Sequence, residues 1–134
     1  MQVLDLRTRI EMKRDMDLIR EILISIEDNP QMDGTREFYF STPEEMGFPN
    51  QSADELAYNY SLLVEAGFVD GGNTAFWPLV VRRLTWKGHE FLASIKDKGI
   101  WEKTKARIKD LPGVTLAVVA AIAESELKKY LGLK

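Results

Sequence analysis

Residues 52–72 have the sequence SADELAYNYSLLVEAGFVDGG, and this stretch decides the fold. Ser52 and Glu55 have the spacing of a capping box, in which Ser52 is the N-cap of a helix and Glu55 its third residue. Gly67, directly after Ala66, is a typical helix stop. The stripe that this helix would bury consists of Leu56, Tyr60 and Leu63. The stretch therefore predicts a helix over 53–66.

The segment after this helix predicts a β-hairpin and then a second capped helix. Phe68 and Val69 lead into a turn sequence at 70–73, and the apolar, β-branched residues of 79–84 supply the returning strand. Thr85 can cap the following helix, predicted over 86–97. The apolar positions of that helix are Trp86, Phe91, Leu92 and Ile95.

The remaining elements follow from the apolar periodicity on either side. Apolar side chains at three- and four-residue steps predict a helix over 13–28, with Asp15 and Asp17 in its first turn. The aromatic residues 38–40 predict a short strand, and Pro43–Met46 predicts no more than a degenerate short helix. Two more helices are predicted over 100–109 and 114–131. The first half of the last helix is apolar on most sides, so it must be buried in the domain or against a partner.

The order of these elements is that of a winged helix: helix, short strand, degenerate helix, recognition-type helix, wing hairpin and helix. The expected fold class is therefore α+β, a winged helix-turn-helix with extra C-terminal helices. The predicted organisation is an N-terminal extension over 1–11, a winged-helix domain over 12–110, and a C-terminal helix over 111–134 for packing or dimerisation.

Three phrases carry a resemblance to known families. LAYNYSLLVEAGFV (56–69) resembles the recognition-helix-into-wing segment of bacterial winged-helix regulators, and LTWKGHEFL (84–92) resembles the phrase that closes their wing. Together with the opening MKRDMDLIR (12–20), they resemble a family of short, uncharacterised bacterial and phage proteins. The resemblance covers residues 12–110 and implies a winged-helix domain, often carried by mobile elements.

Composition excludes several classes of function. The chain has 134 residues with no Cys and a single His, so thiol chemistry, disulfides and Cys- or His-rich metal sites are excluded. No apolar run reaches the length of a membrane span, and we expect no signal peptide, because no charged segment followed by an apolar one opens the chain. We expect a cytoplasmic protein that is not an enzyme, with no cofactor, no metal and no membrane partner.

Charge is distributed unevenly along the chain. Residues 41–81 contain six acidic side chains and no Lys or Arg, whereas residues 82–110 contain nine basic and four acidic ones, a net charge of 9 − 4 = +5. The predicted recognition helix lies in the acidic part. Binding to duplex DNA depends on Lys and Arg near the phosphates, so this placement argues against DNA binding in its usual form.

The first functional hypothesis is nevertheless a DNA-binding or transcription-regulatory protein. On the helix, Tyr58, Asn59 and Ser61 lie outside the predicted buried stripe and suit contacts to bases. Backbone contacts would come from Arg82, Arg83 and Lys87 beside the wing. The neighbours Arg82 and Arg83 are expected on opposite faces of their strand.

The alternative hypothesis is a winged-helix module that has lost DNA binding and meets a protein partner, for example as a phage-borne inhibitor. Its candidate contacts are Tyr58 and Leu62 on the helix and Phe76 and Trp77 on the hairpin. Phe76 and Trp77 could instead fold back onto Trp86 or Trp101 as part of the core. Under either hypothesis the apolar helix 114–131 suggests a homodimer, although packing within the chain would explain it equally well.

Overall fold

A computed structural model describes residues 13–72 and 75–133. This part of the chain contains five helices and three strands, compatible with a winged helix followed by two C-terminal helices. The helices are α1 (Met16–Glu27), α2 (Ala53–Glu65), α3 (Trp86–Ile95), α4 (Lys98–Ile108) and α5 (Leu116–Tyr130). The strands are β1 (Phe38–Phe40), β2 (Val69–Gly71) and β3 (Leu79–Leu84). The expected α+β class is confirmed.

The three strands form an antiparallel sheet in the order β1-β3-β2. Val69 lies opposite Leu84 in the β2–β3 pair, which is the predicted hairpin, and Phe38 lies opposite Val81 in the β1–β3 pair. The Tyr60 hydroxyl of α2 donates a hydrogen bond to the Val80 carbonyl and so ties the helix to the sheet. Burial raises the pKa of this hydroxyl above its ordinary range.

Helix α1 starts three residues later than the predicted range 13–28. The Asp15 side chain accepts a hydrogen bond from the Leu18 backbone N–H at 3.1 Å, so Asp15 is the N-cap and only Asp17 lies in the first turn. The face that α1 buries carries Leu18, Ile19, Ile22, Leu23 and Ile26. It packs against α2, α3 and β3 and forms the centre of the core.

The degenerate short helix predicted at Pro43–Met46 is present only as turns. The Met46 N–H donates to the Pro43 carbonyl at 3.0 Å, and the Gly47 N–H donates to the Glu44 carbonyl at the same distance. Gly47 has a φ of 88°, a left-handed conformation that ends the turns and favours glycine. The element that leads into α2 is therefore shorter than the first helix of a helix-turn-helix.

Helix α3 packs very closely on the link between α2 and β2, at Phe68. A Cβ built on Gly88 would lie 2.0 Å from the Phe68 carbonyl oxygen, so only glycine permits this approach. Thr85 caps α3 as predicted and accepts a hydrogen bond from the Gly88 N–H at 3.0 Å. Trp86, expected at an apolar position of this helix, is 77% exposed, because it is the first helical residue and lies outside the buried face.

The C-terminal helices α4 and α5 pack on each other and on α3. Helix α4 begins two residues before its predicted start, because the Asp97 side chain caps it by accepting from the Ile100 N–H. Helix α5 buries Leu116, Val119 and Ala123, whereas Val118 is 44% exposed. Packing within the chain thus covers one face of α5, and dimerisation through its other face stays a prediction. Within the described ranges, no helix is long and apolar enough to cross a membrane.

Candidate functional site

The outer face of α2 consists of Asp54, Glu55, Tyr58, Leu62 and Glu65. Ser52 caps the helix and accepts a hydrogen bond from the Glu55 N–H at 3.4 Å. The Glu55 carboxylate accepts from the Gln51 side chain at 3.4 Å. Both Asp54 and Glu55 are exposed in the first turn, where carboxylates complement the helix dipole. Local folding alone therefore places two carboxylates at this end of α2.

Asn59 and Ser61 are buried, so the prediction that they lie outside the buried stripe of α2 is wrong. The Asn59 side chain is 0% exposed; its Oδ1 accepts from the Asp15 N–H at 2.7 Å and its Nδ2 donates to the Glu55 carbonyl at 2.9 Å. The Ser61 hydroxyl donates to the Tyr58 carbonyl at 2.6 Å. Asn59 therefore holds the start of α1 against α2.

Arg82 is held within the sheet by two carboxylates. It donates to Glu37, just before β1, and its Nη1 lies 3.1 Å from Asp70 Oδ1 on β2. The hydrogen bond from Tyr39, followed by that from Arg82, keeps the pKa of Glu37 below its usual range. The charge of Arg82 is thus offset inside the chain, although its side chain stays partly exposed.

The side chains of Arg83 and Lys87 also interact with other residues of the chain. Arg83 Nε lies 3.9 Å from Asp70 Oδ2, so both arginines reach the same carboxylate although strand neighbours start on opposite faces. Lys87 Nζ donates to the Ala66 carbonyl at 3.1 Å and lies 5.0 Å from the centre of the Phe68 ring. Lys87 therefore caps the C-terminal end of α2, where a cation is favourable.

The wing aromatics flank the other end of α2. Trp77 Nε1 donates to the Ala53 carbonyl at 3.1 Å, and the indole packs partly against the core. Phe76 is 79% exposed, so the alternative in which both aromatics join the core fails for Phe76. The Trp77–Ala53 bond places the wing beside Asp54 and Glu55. We give the name acidic aromatic surface to a set of side chains from α2 and the wing: Asp54, Glu55, Tyr58, Leu62, Phe76 and Trp77.

The acidic side chains on the outer face of α2 form no ion pair with any described residue. Across residues 13–72 and 75–133, no Lys, Arg or His nitrogen lies within 4.0 Å of the carboxylates of Asp54, Glu55 or Glu65. Tyr58 and Leu62 follow Asp54 at four-residue steps and are half-buried on the same side of the helix. The surface therefore combines apolar and aromatic side chains with carboxylates that pair with no cation of the described ranges.

Sequence reasoning missed the groups that neutralise the arginines. Asp70 lies opposite Arg83 in the β2–β3 register, and this cross-strand pair could have been found once the hairpin was aligned. The Arg82–Glu37 ion pair and the Trp77–Ala53 hydrogen bond join residues that are 45 and 24 positions apart, for which the sequence carries no local signal.

In the part of the chain that the structure describes, no three acidic or His side chains form a metal-binding cluster.

Comparison with known proteins places the chain in an uncharacterised family. Residues 13–115 match the family model of hypothetical proteins DUF2513. The chain is also similar to an uncharacterised protein of Haemophilus influenzae, with 30% identity over 124 residues that cover 90% of this chain and 99% of that protein. No solved structure matches the chain. The expected resemblance to an uncharacterised bacterial family is thus confirmed: the chain belongs to the hypothetical-protein family DUF2513.

Proposed function

We propose that the chain is a non-enzymatic interaction module that binds a positively charged surface of a partner protein through its acidic aromatic surface. One observation carries this proposal. The exposed face of the recognition-type helix presents Asp54, Glu55 and Glu65, and no Lys or Arg occurs anywhere in residues 41–81. Such a face attracts cationic groups and repels phosphates.

The aromatic members of the surface would supply most of the binding free energy. Hot spots of interfaces are enriched in Trp and Tyr, whereas charges at the rim mainly direct and orient the encounter. Phe76 projects from the wing, and Tyr58 and Leu62 lie along α2 beside the carboxylates. A basic partner with an apolar pocket fits this arrangement. A protein that itself binds nucleic acid is such a partner, and binding here would cover its basic site.

DNA binding by this chain stays a prediction. Asn59 and Ser61 are buried, which leaves Tyr58 as the base-contacting candidate on α2. Arg82 already bridges two carboxylates, so a phosphate would have to compete with Glu37 and Asp70 for it. Arg83 and Lys87 would then have to provide the backbone contacts. These contacts are fewer than duplex binding usually uses.

Site-directed photo-crosslinking in a bacterium that carries the gene tests the proposal. A photo-reactive phenylalanine analogue replaces Tyr58 or Phe76, and a control carries it at Lys103, an exposed position of α4. We expect the same partner to be crosslinked from positions 58 and 76 and not from 103. Equal crosslinking from all three positions would contradict the proposal.

The captured partner is then purified for a quantitative measurement. Asp54→Asn with Glu55→Gln should weaken its binding about tenfold at low salt, because two steering charges are lost. The matched control, Glu90→Gln with Asp110→Asn, removes the same charge from exposed positions elsewhere and should leave the affinity unchanged.

Duplex DNA is titrated in parallel at low salt. Salt-dependent DNA affinity that disappears with Arg83→Glu plus Lys87→Glu would favour the regulatory hypothesis instead.

A further inference from the structure

A second, chemically different groove lies between the start of α1 and α4. It has a volume of about 500 Å³ and is open to solvent along one side. That volume is within the usual range for small-molecule sites. None of the residues of the acidic aromatic surface lines this groove, but Arg14 of the groove also lines a neighbouring cleft with Leu62 of that surface and with Glu65. Binding of a small molecule in the groove is a different activity from the proposed binding of a partner protein.

The floor of the groove is apolar. Met16 and Ile108 are half-buried and pack against the core. A methionine side chain is flexible and polarizable, so it adapts to ligands of different shape. The floor therefore suits an alkyl or aryl group.

The rim of the groove carries cations of two kinds. Lys105 is already neutralised, since its Nζ lies 2.8 Å from Asp17 Oδ1 and 3.4 Å from Glu102 Oε2. The side chains of Arg14 and Lys109 have no hydrogen bond or ion pair with any other described group of the chain. Arg14 is nevertheless half-buried beside the floor. The groove thus holds two cations that have no ion-pair partner among the described residues, next to apolar surface.

We propose that this groove binds a small amphipathic carboxylate. The apolar part of the ligand lies on Met16, Ala106 and Ile108, and its carboxylate meets Arg14 and Lys109. A guanidinium matches a carboxylate with two parallel hydrogen bonds, and such charge-assisted bonds are stronger than neutral ones. A free carboxylic acid and the carboxyl end of a short apolar peptide share this chemistry.

Titration of the ¹⁵N-labelled 134-residue chain with sodium octanoate tests the site, with 1-octanol as the neutral probe of equal chain length. The Trp101 indole is a built-in reporter, because its N–H donates to Asp17 Oδ1 at 2.8 Å beside Lys105. We expect saturable shifts of the Trp101 indole and of α4 backbone signals with octanoate, and at least about tenfold weaker binding of octanol. A short apolar peptide with a free or an amidated C-terminus then distinguishes the two sources of carboxylate.

Substitutions test whether the positive charge of Arg14 contributes to octanoate binding. Arg14→Ala should weaken octanoate binding about tenfold, and Arg14→Lys should restore part of it. Lys98→Ala is the matched control, since Lys98 is an exposed cation of α4 that does not line the groove. A well-dispersed spectrum shows that each variant is folded. The proposal is overturned if octanol binds as tightly as octanoate, if the shifts do not saturate, or if Arg14→Ala behaves like Lys98→Ala.

Discussion

The outer face of α2 and the contact between α1 and α4 both carry exposed acidic groups, but these groups have different surroundings. At the α1–α4 contact, Asp17 accepts hydrogen bonds from Trp101 and Lys105, each at 2.8 Å. On α2, Asp54 and Glu65 have no ion-pair partner among the described residues. At the α1–α4 contact the carboxylate joins two helices, whereas the carboxylates on α2 remain available to bind a partner.

This contrast indicates that the carboxylates at the α1–α4 contact affect folding stability, whereas those on α2 affect the binding of a partner. Ion pairs that join helices across a surface contribute about 0–1 kcal/mol each, and the buried side chains beneath them contribute far more. Carboxylates without ion-pair partners add little to the stability of the fold. We therefore expect them to affect the binding of cationic groups instead. Substitutions in the two regions should therefore change different properties of the protein.

The largest effect is expected for Trp101→Ala at the α1–α4 contact. Trp101 is 2% exposed, and its removal leaves a large cavity and deprives Asp17 of a donor. We expect a loss of about 3–5 kcal/mol in the free energy of unfolding, measured with urea. Trp86→Ala is the control, because Trp86 is 77% exposed, and it should change stability by less than about 0.5 kcal/mol. Similar losses for both variants would contradict the buried position of Trp101.

The second effect concerns Asn59. The sequence predicts that this residue contacts bases, whereas in the structure its side chain is buried and hydrogen-bonds the start of α1 to α2. Asn59→Ala removes the acceptor of the Asp15 N–H at the start of α1. The expected loss is about 1–3 kcal/mol in the free energy of unfolding, because a partly buried donor loses its partner. Asp54→Ala on the same helix, exposed and without an ion pair, should cost less than about 1 kcal/mol. Unchanged stability in Asn59→Ala would show that the residue is free to serve an interface.

The sequence predicted elements well and side-chain environments less well. Caps at Ser52 and Thr85 are local signals, so the helices that follow them were located to within a few residues. Asn59 was misplaced because an exposed-looking position of α2 is covered by the chain before α1, 44 residues away. The neutralisation of Arg82 depends in the same way on Glu37 from a distant segment. Long-range contacts therefore decide which polar residues of the candidate site remain available.

A third effect is the pH dependence of the α1–α4 and α4–α5 contacts. The hydrogen bond from Lys105, followed by that from Trp101, lowers the pKa of Asp17, and the hydrogen bond from Arg107 lowers the pKa of Glu126. A lowered pKa in the folded state gives stability that is present above the ordinary carboxyl pKa of about 4 and is lost as pH falls through the folded value.

Asp17→Asn should therefore destabilise the protein at neutral pH and have no effect at a pH below the folded pKa of Asp17. The Asp17 side chain is 67% exposed, so the difference at neutral pH should stay below about 1 kcal/mol. Urea unfolding of the wild type and the variant across the acidic range measures this, and Lys105→Met should reproduce the effect by removing the partner. A difference that persists below the folded pKa would assign the effect to packing.

The smallest effect on stability is expected for Asp54→Asn with Glu55→Gln on the outer face of α2. Both substitutions keep the size of the side chain and remove charges that only the helix dipole compensates, so the loss should be below about 1 kcal/mol. The same variant is expected to lose partner binding about tenfold. A stability loss as large as that of Asn59→Ala would show that these carboxylates serve the fold. A small loss combined with lost binding would show that α2 exposes them for recognition, unlike the carboxylates that join α1 to α4.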